Sequence, residues 1–101
     1  MNTSARRTKR LKPTLVLRLY VAGSSPNSVA ALTNLRALLT GERHELEIID
    51  VLRHPDRALS DAVIVTPMLD KRSPRPACRI FGNLSDGALV LRSLGITAVP
   101  G

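Results

Sequence analysis

Hydrophobic positions fall in short blocks along the chain, and the period of each block predicts an element. Leu15 to Ala22 is a run of β-compatible apolar residues, too short for a helix with its own face, so it predicts a buried central strand. Gly23-Ser-Ser-Pro-Asn27 breaks that strand and opens a helix, with Ser25 able to cap and Pro26 suited to the first helical position. Val29, Leu32, Leu35 and Leu39 recur every three or four residues and mark an apolar helix face, and Gly41 predicts a left-handed C-terminal cap. Glu45 to Val51 begins by alternating and becomes continuously apolar, as a second strand would beside the first. Strand, helix and strand at these lengths predict a βαβ unit with a right-handed crossover and parallel strands.

The second half carries shorter signals. Pro55 to Asp61 predicts two helical turns whose apolar face is only Ala58 and Leu59. Ala62-Val-Ile-Val-Thr66 is β-branched and reads as a third strand, closed by Pro67, which lacks a ladder donor. Asp70 to Pro76 reads as a turn region, and Ala77 to Gly82 as a fourth strand completing an antiparallel hairpin. Leu84 before Ser85 resembles a hydrophobic staple, with Ser85 as cap, Leu89 meeting Leu84 and Gly95 ending the helix. The expected order is β-α-β-α-β-β-α: an α/β sandwich with a mixed sheet and helices on both faces, the thioredoxin-like arrangement.

Composition narrows what such a domain does. The chain has 101 residues, enough for one domain, and 44% are hydrophobic, enough for an ordinary core. Tyr20 and Phe81 are the only aromatic residues, so the core is aliphatic and base-stacking platforms are nearly absent. The net charge of +7 is uneven: residues 1–13 hold five cations and no acid, leaving +2 for the other 88 residues. The expected organisation is a basic disordered tail over 1–13, a folded domain over 14–95 and a short tail over 96–101. Nucleic-acid binding would rest on the N-terminal tail alone, as a salt-sensitive phosphate contact. No apolar run approaches the roughly 20 residues that span a bilayer, and a single cysteine, with no disulfide partner, fits a reducing cytoplasm.

The chemistry such a fold often performs lacks its reagents here. A thioredoxin-like enzyme needs a thiol where the first strand meets the first helix, because the helix dipole there favours thiolate. The corresponding stretch is Ser24-Ser25-Pro26-Asn27, with no sulfur. Cys78 falls in the predicted fourth strand and reads as a small inert hydrophobe. His44 and His54 flank the second strand, about 30 Å apart if it is extended, and cannot share a metal. No phosphate-binding glycine loop and no nucleophile–base spacing is present, so no catalytic residue, cofactor or metal is expected.

At these residues the sequence resembles the KaiB family of bacterial circadian clock proteins. The resemblance lies in Leu19-Tyr20-Val21-Ala22-Gly23, then Ser25-Pro26-Asn27-Ser28, Ile49-Asp50-Val51-Leu52 with Pro55, Thr66-Pro67 with Leu69, and Gly82 with Leu84-Ser85. These run in order across about residues 14–95. The resemblance implies a non-enzymatic regulator that binds a KaiC-type ATPase ring and modulates its phosphorylation cycle, with KaiA or a histidine kinase as further partners and a homo-oligomer left open. It also implies fold switching, so the alternative to the thioredoxin-like arrangement is the KaiB ground-state fold with a rearranged C-terminal half. The alternative role is a paralogue serving as a stress adaptor or holdase, or as a kinase-sensor-like binding domain.

The chain departs from the family's pattern at Ala62, where a lysine is common, at Asn83, where the pattern is Gly-Asp-Leu-Ser, and at Ala88 and Ser93-Leu94-Gly95. The candidate partner contacts are Asp50, Arg53 and Asp61, around the second-strand end and the segment after it, and Lys71 and Arg75 in the basic hairpin region. For each, ordinary solvated surface is the alternative. Thr66-Pro67 is the candidate cis peptide bond of the thioredoxin-like state.

Overall fold

The computed structural model describes residues 13–96. Its elements are β1 (Leu15–Val21), α1 (Pro26–Leu38), β2 (His44–Asp50), α2 (Pro55–Ser60), β3 (Met68–Ser73), β4 (Cys78–Phe81) and α3 (Gly87–Leu94). The strands form one sheet in the order β2-β1-β3-β4. β1 is central, parallel to β2 with Leu15 opposite His44 and antiparallel to β3 with Tyr20 opposite Met68. β4 completes a hairpin, Met68 opposite Phe81 and Lys71 opposite Cys78. Val16 opposes Ser73 while Leu17 opposes Lys71, so Arg72 is the extra residue of a bulge in β3. The tail expected over 1–13 lies, apart from Pro13, outside the described residues, as do residues 97–101.

Alternation along the strands sorts side chains to two faces. Leu15, Leu17, Leu19 and Val21 of β1 and Leu69 of β3 enter the main core, covered by Ala31, Leu35 and Leu39 around α1 and by Val90 and Leu94 of α3. Tyr20 and Met68 point the other way and join Ile49 in a second, smaller cluster with Val51 and Val63 against it. This is the β-α-β-α-β-β-α mixed-sheet sandwich expected from the sequence. The rearranged C-terminal half is not the arrangement observed.

The local signals at α1 act as expected. Ser25 is the N-cap, its Oγ accepting from the Ser28 amide, and Pro26 opens the helix. The buried face is rotated from the expected one. Ser28, Ala31 and Leu35 are its buried residues, and Val29 is exposed. Small side chains at 28 and 31 allow close approach to the sheet, which a face centred on Val29 would not. Gly41 is left-handed (φ +83°) but lies beyond the actual C-cap, Leu39.

Two expectations in the second half are corrected. The β-branched run 62–66 is not a strand: Ala62 is left-handed, and Ile64 is 93% exposed. The third strand begins after Pro67 and occupies Met68–Ser73, most of the expected turn region. Pro67 brings no N–H to the ladder, so pairing starts at the next residue. The charges of Asp70 and Lys71, which disguise the strand, are both buried. The last helix is capped by Asp86, whose Oδ1 accepts from the Leu89 amide at 3.1 Å, and not by Ser85. The Asn83 side chain accepts from the Ser85 amide at 3.0 Å, which commits Ser85 to the preceding turn. With Asp86 as cap, Leu84 lies one residue further out than a staple requires; it is buried in the same core as Val90, whereas Leu89 is exposed. Gly95 ends the helix as expected, at φ +79°.

Candidate functional site

The C-terminal ends of β1 and β2 meet the N-terminus of α1 at one end of the sheet. Ser28 Oγ accepts from the Ala22 amide at 3.0 Å and from Ser25 Oγ at 2.8 Å, tying the strand end to the first helical turn. Hydroxyls thus stand beside the helix N-terminus where a thiol would be needed for exchange. Gly23, at φ +56°, turns the chain so that its amide donates to Asp50 Oδ1 at 2.9 Å, and the Leu52 amide donates to the same oxygen at 3.0 Å. These backbone donors, Gly23 first, hold the Asp50 carboxyl below the ordinary carboxylate range. Asp50 is therefore a brace between two turns, with Arg53 3.7 Å away.

Beside this brace, α1 and β2 border an open groove of about 670 Å³ lined by Val21, Val29, Leu32, Ile48 and Leu52 together with Asp50 and Arg53. Arg53 itself projects, its side chain 82% exposed. The turn between α2 and β3 contains Thr66–Pro67, whose peptide bond is cis, as are Ser73–Pro74 and Arg75–Pro76.

Asp61 sits on the opposite face. Its Oδ2 accepts from the hydroxyl of fully buried Tyr20 at 2.6 Å and lies 3.7 Å from Arg18 and 3.6 Å from Arg57. The Tyr20 bond first, then the two guanidinium groups, hold its carboxyl below the ordinary value, while burial pushes the Tyr20 phenol up. One rung of the sheet runs Glu47, Arg18, Asp70, Arg79 across β2, β1, β3 and β4, alternating in sign. Arg57 adds a two-pronged bond to Glu47 at 3.1 and 3.3 Å, and Arg79 donates to the carbonyls of Asp61 and Ala62.

The five candidate contacts do not gather in one place. Asp50 and Arg53 share the groove, Asp61 lies in the ionic network, and Arg75 is in the β3–β4 connection, toward the end of the sheet where β1 begins. Lys71 is 3% exposed, with its Nζ beside Gly95 at the C-terminus of α3, where helix carbonyls favour a cation. The sequence reading missed Tyr20 as a polar partner and Arg18, Arg57 and Arg79 as a network. No local signal points to it, because Arg18 and Glu47 sit on different strands and become neighbours only through the sheet.

Among the described residues, no group of three His, Cys, Asp or Glu is placed to hold a metal, and no helix is long and apolar enough to cross a membrane. Cys78 donates its thiol to the Ser93 carbonyl at 3.3 Å on β4, remote from the helix N-terminus of α1. His44 Nδ1 bonds the Glu42 carbonyl region at 2.8 Å, and His54 is the α2 N-cap without a side-chain cap bond. The helix N-terminus furnished with hydroxyls and the apolar groove lie on one face of the sheet, and the charged network lies on the other.

The fold is thioredoxin-like. Chloroplastic thioredoxin z superposes with a TM-score of 0.70 at 20% identity, over 81% of this chain and 76% of that one. The N-terminal domain of SasA from Synechococcus elongatus gives 0.66 at 22% identity, over 89% and 92%. Residues 18–96 match the KaiB domain, and the chain belongs to the KaiB family. It is 46% identical over 89 residues to the circadian clock oscillator protein KaiB of Trichodesmium erythraeum, covering 85% of this chain and 86% of that one. The corresponding protein of Rippkaea orientalis is 46% identical over 88 residues, covering 84% and 85%. Both relatives are named as oscillator proteins and not as enzymes.

Proposed function

We propose that this chain is a clock regulator that binds a KaiC-type ATPase ring and modulates its phosphorylation and ATPase cycle, without catalysing a reaction of its own. The observation that carries this reading is the 46% identity to a circadian clock oscillator KaiB over 85% of the chain. The geometry supports it by offering surface and no thiol where the fold would place one. KaiA and a histidine kinase are further partners within the same reading.

Direct contact is assigned to Arg53 and Arg75, in the turn after β2 and the β3–β4 connection. Asp50 acts from behind Arg53 by fixing its turn, and Asp61 by fixing the segment after α2. Lys71 contributes in this conformation by packing, being buried. Gel filtration of the chain with the cognate KaiC-type ATPase, in ATP and then in ADP, tests the reading. Co-elution is expected in at least one nucleotide, and no shift at tens of micromolar would overturn it.

A further inference from the structure

The segment after β2 is attached to the sheet in an unusual way. α2 buries none of its six residues, and Leu59 is 84% exposed. Among the described residues, the buried apolar cluster on this face is Tyr20, Ile49 and Met68, with Val51 packed against it and Val63 packed on it from the segment itself. What ties residues 55–63 down is polar. Asp61 receives Tyr20 and Arg18 from β1 and Arg57 from α2. Arg57 reaches Glu47 on β2, and Arg79 on β4, itself 3.9 Å from Asp70 on β3, donates to the Ala62 carbonyl at 2.9 Å and to the Asp61 carbonyl.

Ion pairs with exposed members are individually weak, since water and salt screen them. Ala62 adds a left-handed backbone (φ +56°) that a residue with a β-carbon adopts reluctantly. A segment with little buried apolar surface, fixed by polar ties among which one carboxylate takes three partners, has the makings of a local opening unit.

We propose that residues 55–63 form a flap that opens from the sheet as a unit while the rest of the fold stays closed, that Asp61 is its latch, and that opening uncovers Tyr20, Ile49 and Met68. The flap is a conformational device of the chain itself and does not depend on which partner the protein binds.

Amide hydrogen exchange on the full chain reads this directly. The amides of Asp61, Ala62 and Val63, bonded within the flap to the Arg57, Leu59 and Ala58 carbonyls, report its opening because a six-residue helix freed from the sheet does not hold its own hydrogen bonds, and those of Leu35 and Leu39 in and after α1 report the core. Asp61→Asn should speed the flap amides about tenfold. Val90→Ala, on the opposite face, should speed the core amides about tenfold and leave the flap amides within twofold, because flap opening does not disturb Val90. Peroxide oxidation of Met68 should follow the flap amides in both variants.

Flap amides that accelerate with the core in Val90→Ala, or that ignore Asp61→Asn, would overturn the proposal. Met68 oxidation that follows the core amides would overturn the uncovering. If Asp61→Asn does not fold, Arg57→Gln replaces it, with a few-fold acceleration of the flap amides expected and none overturning the latch.

Discussion

On the face of the sheet that carries α1 and α3, eleven described side chains are buried in one aliphatic cluster. On the face under α2 the buried apolar cluster among the described residues has only three members, and charged groups from all four strands, buried Asp70 among them, take up the remaining area. Apolar burial is non-directional and grows with area, so the first face is strongly held and tolerant of small shifts. The second face is held by geometry: a phenol, a carboxylate and three guanidinium groups that must each be in place. The same strands serve both faces, so burial by area and anchoring by directed polar contacts are placed on opposite sides of one sheet.

The largest effect is expected on the aliphatic face. Leu35 is fully buried between α1 and the sheet, and Leu35→Ala should cost about 3–4 kcal/mol in lost transfer energy and cavity formation. Urea unfolding followed by circular dichroism measures it. A cost below 1 kcal/mol would mean that the two faces are not held as differently as described.

Tyr20→Phe removes the phenol tie on the other face and should cost about 1–2 kcal/mol, since it deletes one hydrogen bond and leaves the ring in place. Its pH dependence sharpens the comparison. Asp61 lies below its ordinary pKa when folded, so its ties add stability fully present above the unfolded value of about 3.9. That stability is lost as the pH falls through the lower folded value. The stability difference between the native chain and Asp61→Asn should therefore shrink as the pH falls below about 4. A difference that stays constant from pH 7 to 3 would remove Asp61 from the account.

How far the sequence alone reaches follows the same division. β1, β2, the start of α1 and the end of α3 are legible because their signals are local: an apolar run, a Ser-Pro start, a closing glycine. β3 is not, because Asp70 and Lys71 look like loop residues until Arg72 and Arg79 are brought beside Asp70 and the end of α3 beside Lys71. Conversely, Val63 to Val65 have high β propensity and no strand to pair with.

The site residues divide similarly. Asp50 and Asp61 stand out as acids near strand and helix ends, but each is engaged by partners distant in sequence. The Gly23 amide lies 27 residues from Asp50, and the Tyr20 hydroxyl 41 from Asp61. Those distances conceal that both carboxylates shape turns.

A smaller effect separates the two possible caps of α3. Asp86→Ala should cost about 1 kcal/mol and Ser85→Ala close to nothing, because only the Asp86 side chain accepts from a first-turn amide. Thermal unfolding of the two variants distinguishes them. Equal losses would return the cap to the position that the staple pattern favours.

The smallest effect has the opposite sign. Ala62 adopts φ +56°, where its β-carbon crowds the backbone at a cost of about 1–2 kcal/mol. Glycine removes that crowding and gives back about 0.4–1 kcal/mol as extra freedom of the unfolded chain. Ala62→Gly should therefore stabilise by about 0.5 kcal/mol, seen as a higher urea midpoint at unchanged slope. The exposed Ala62 side chain leaves no packing term to oppose this gain. A lower midpoint would show that the segment after α2 is held by its own backbone preference more than by the charges around Asp61, and the contrast between the two faces would narrow accordingly.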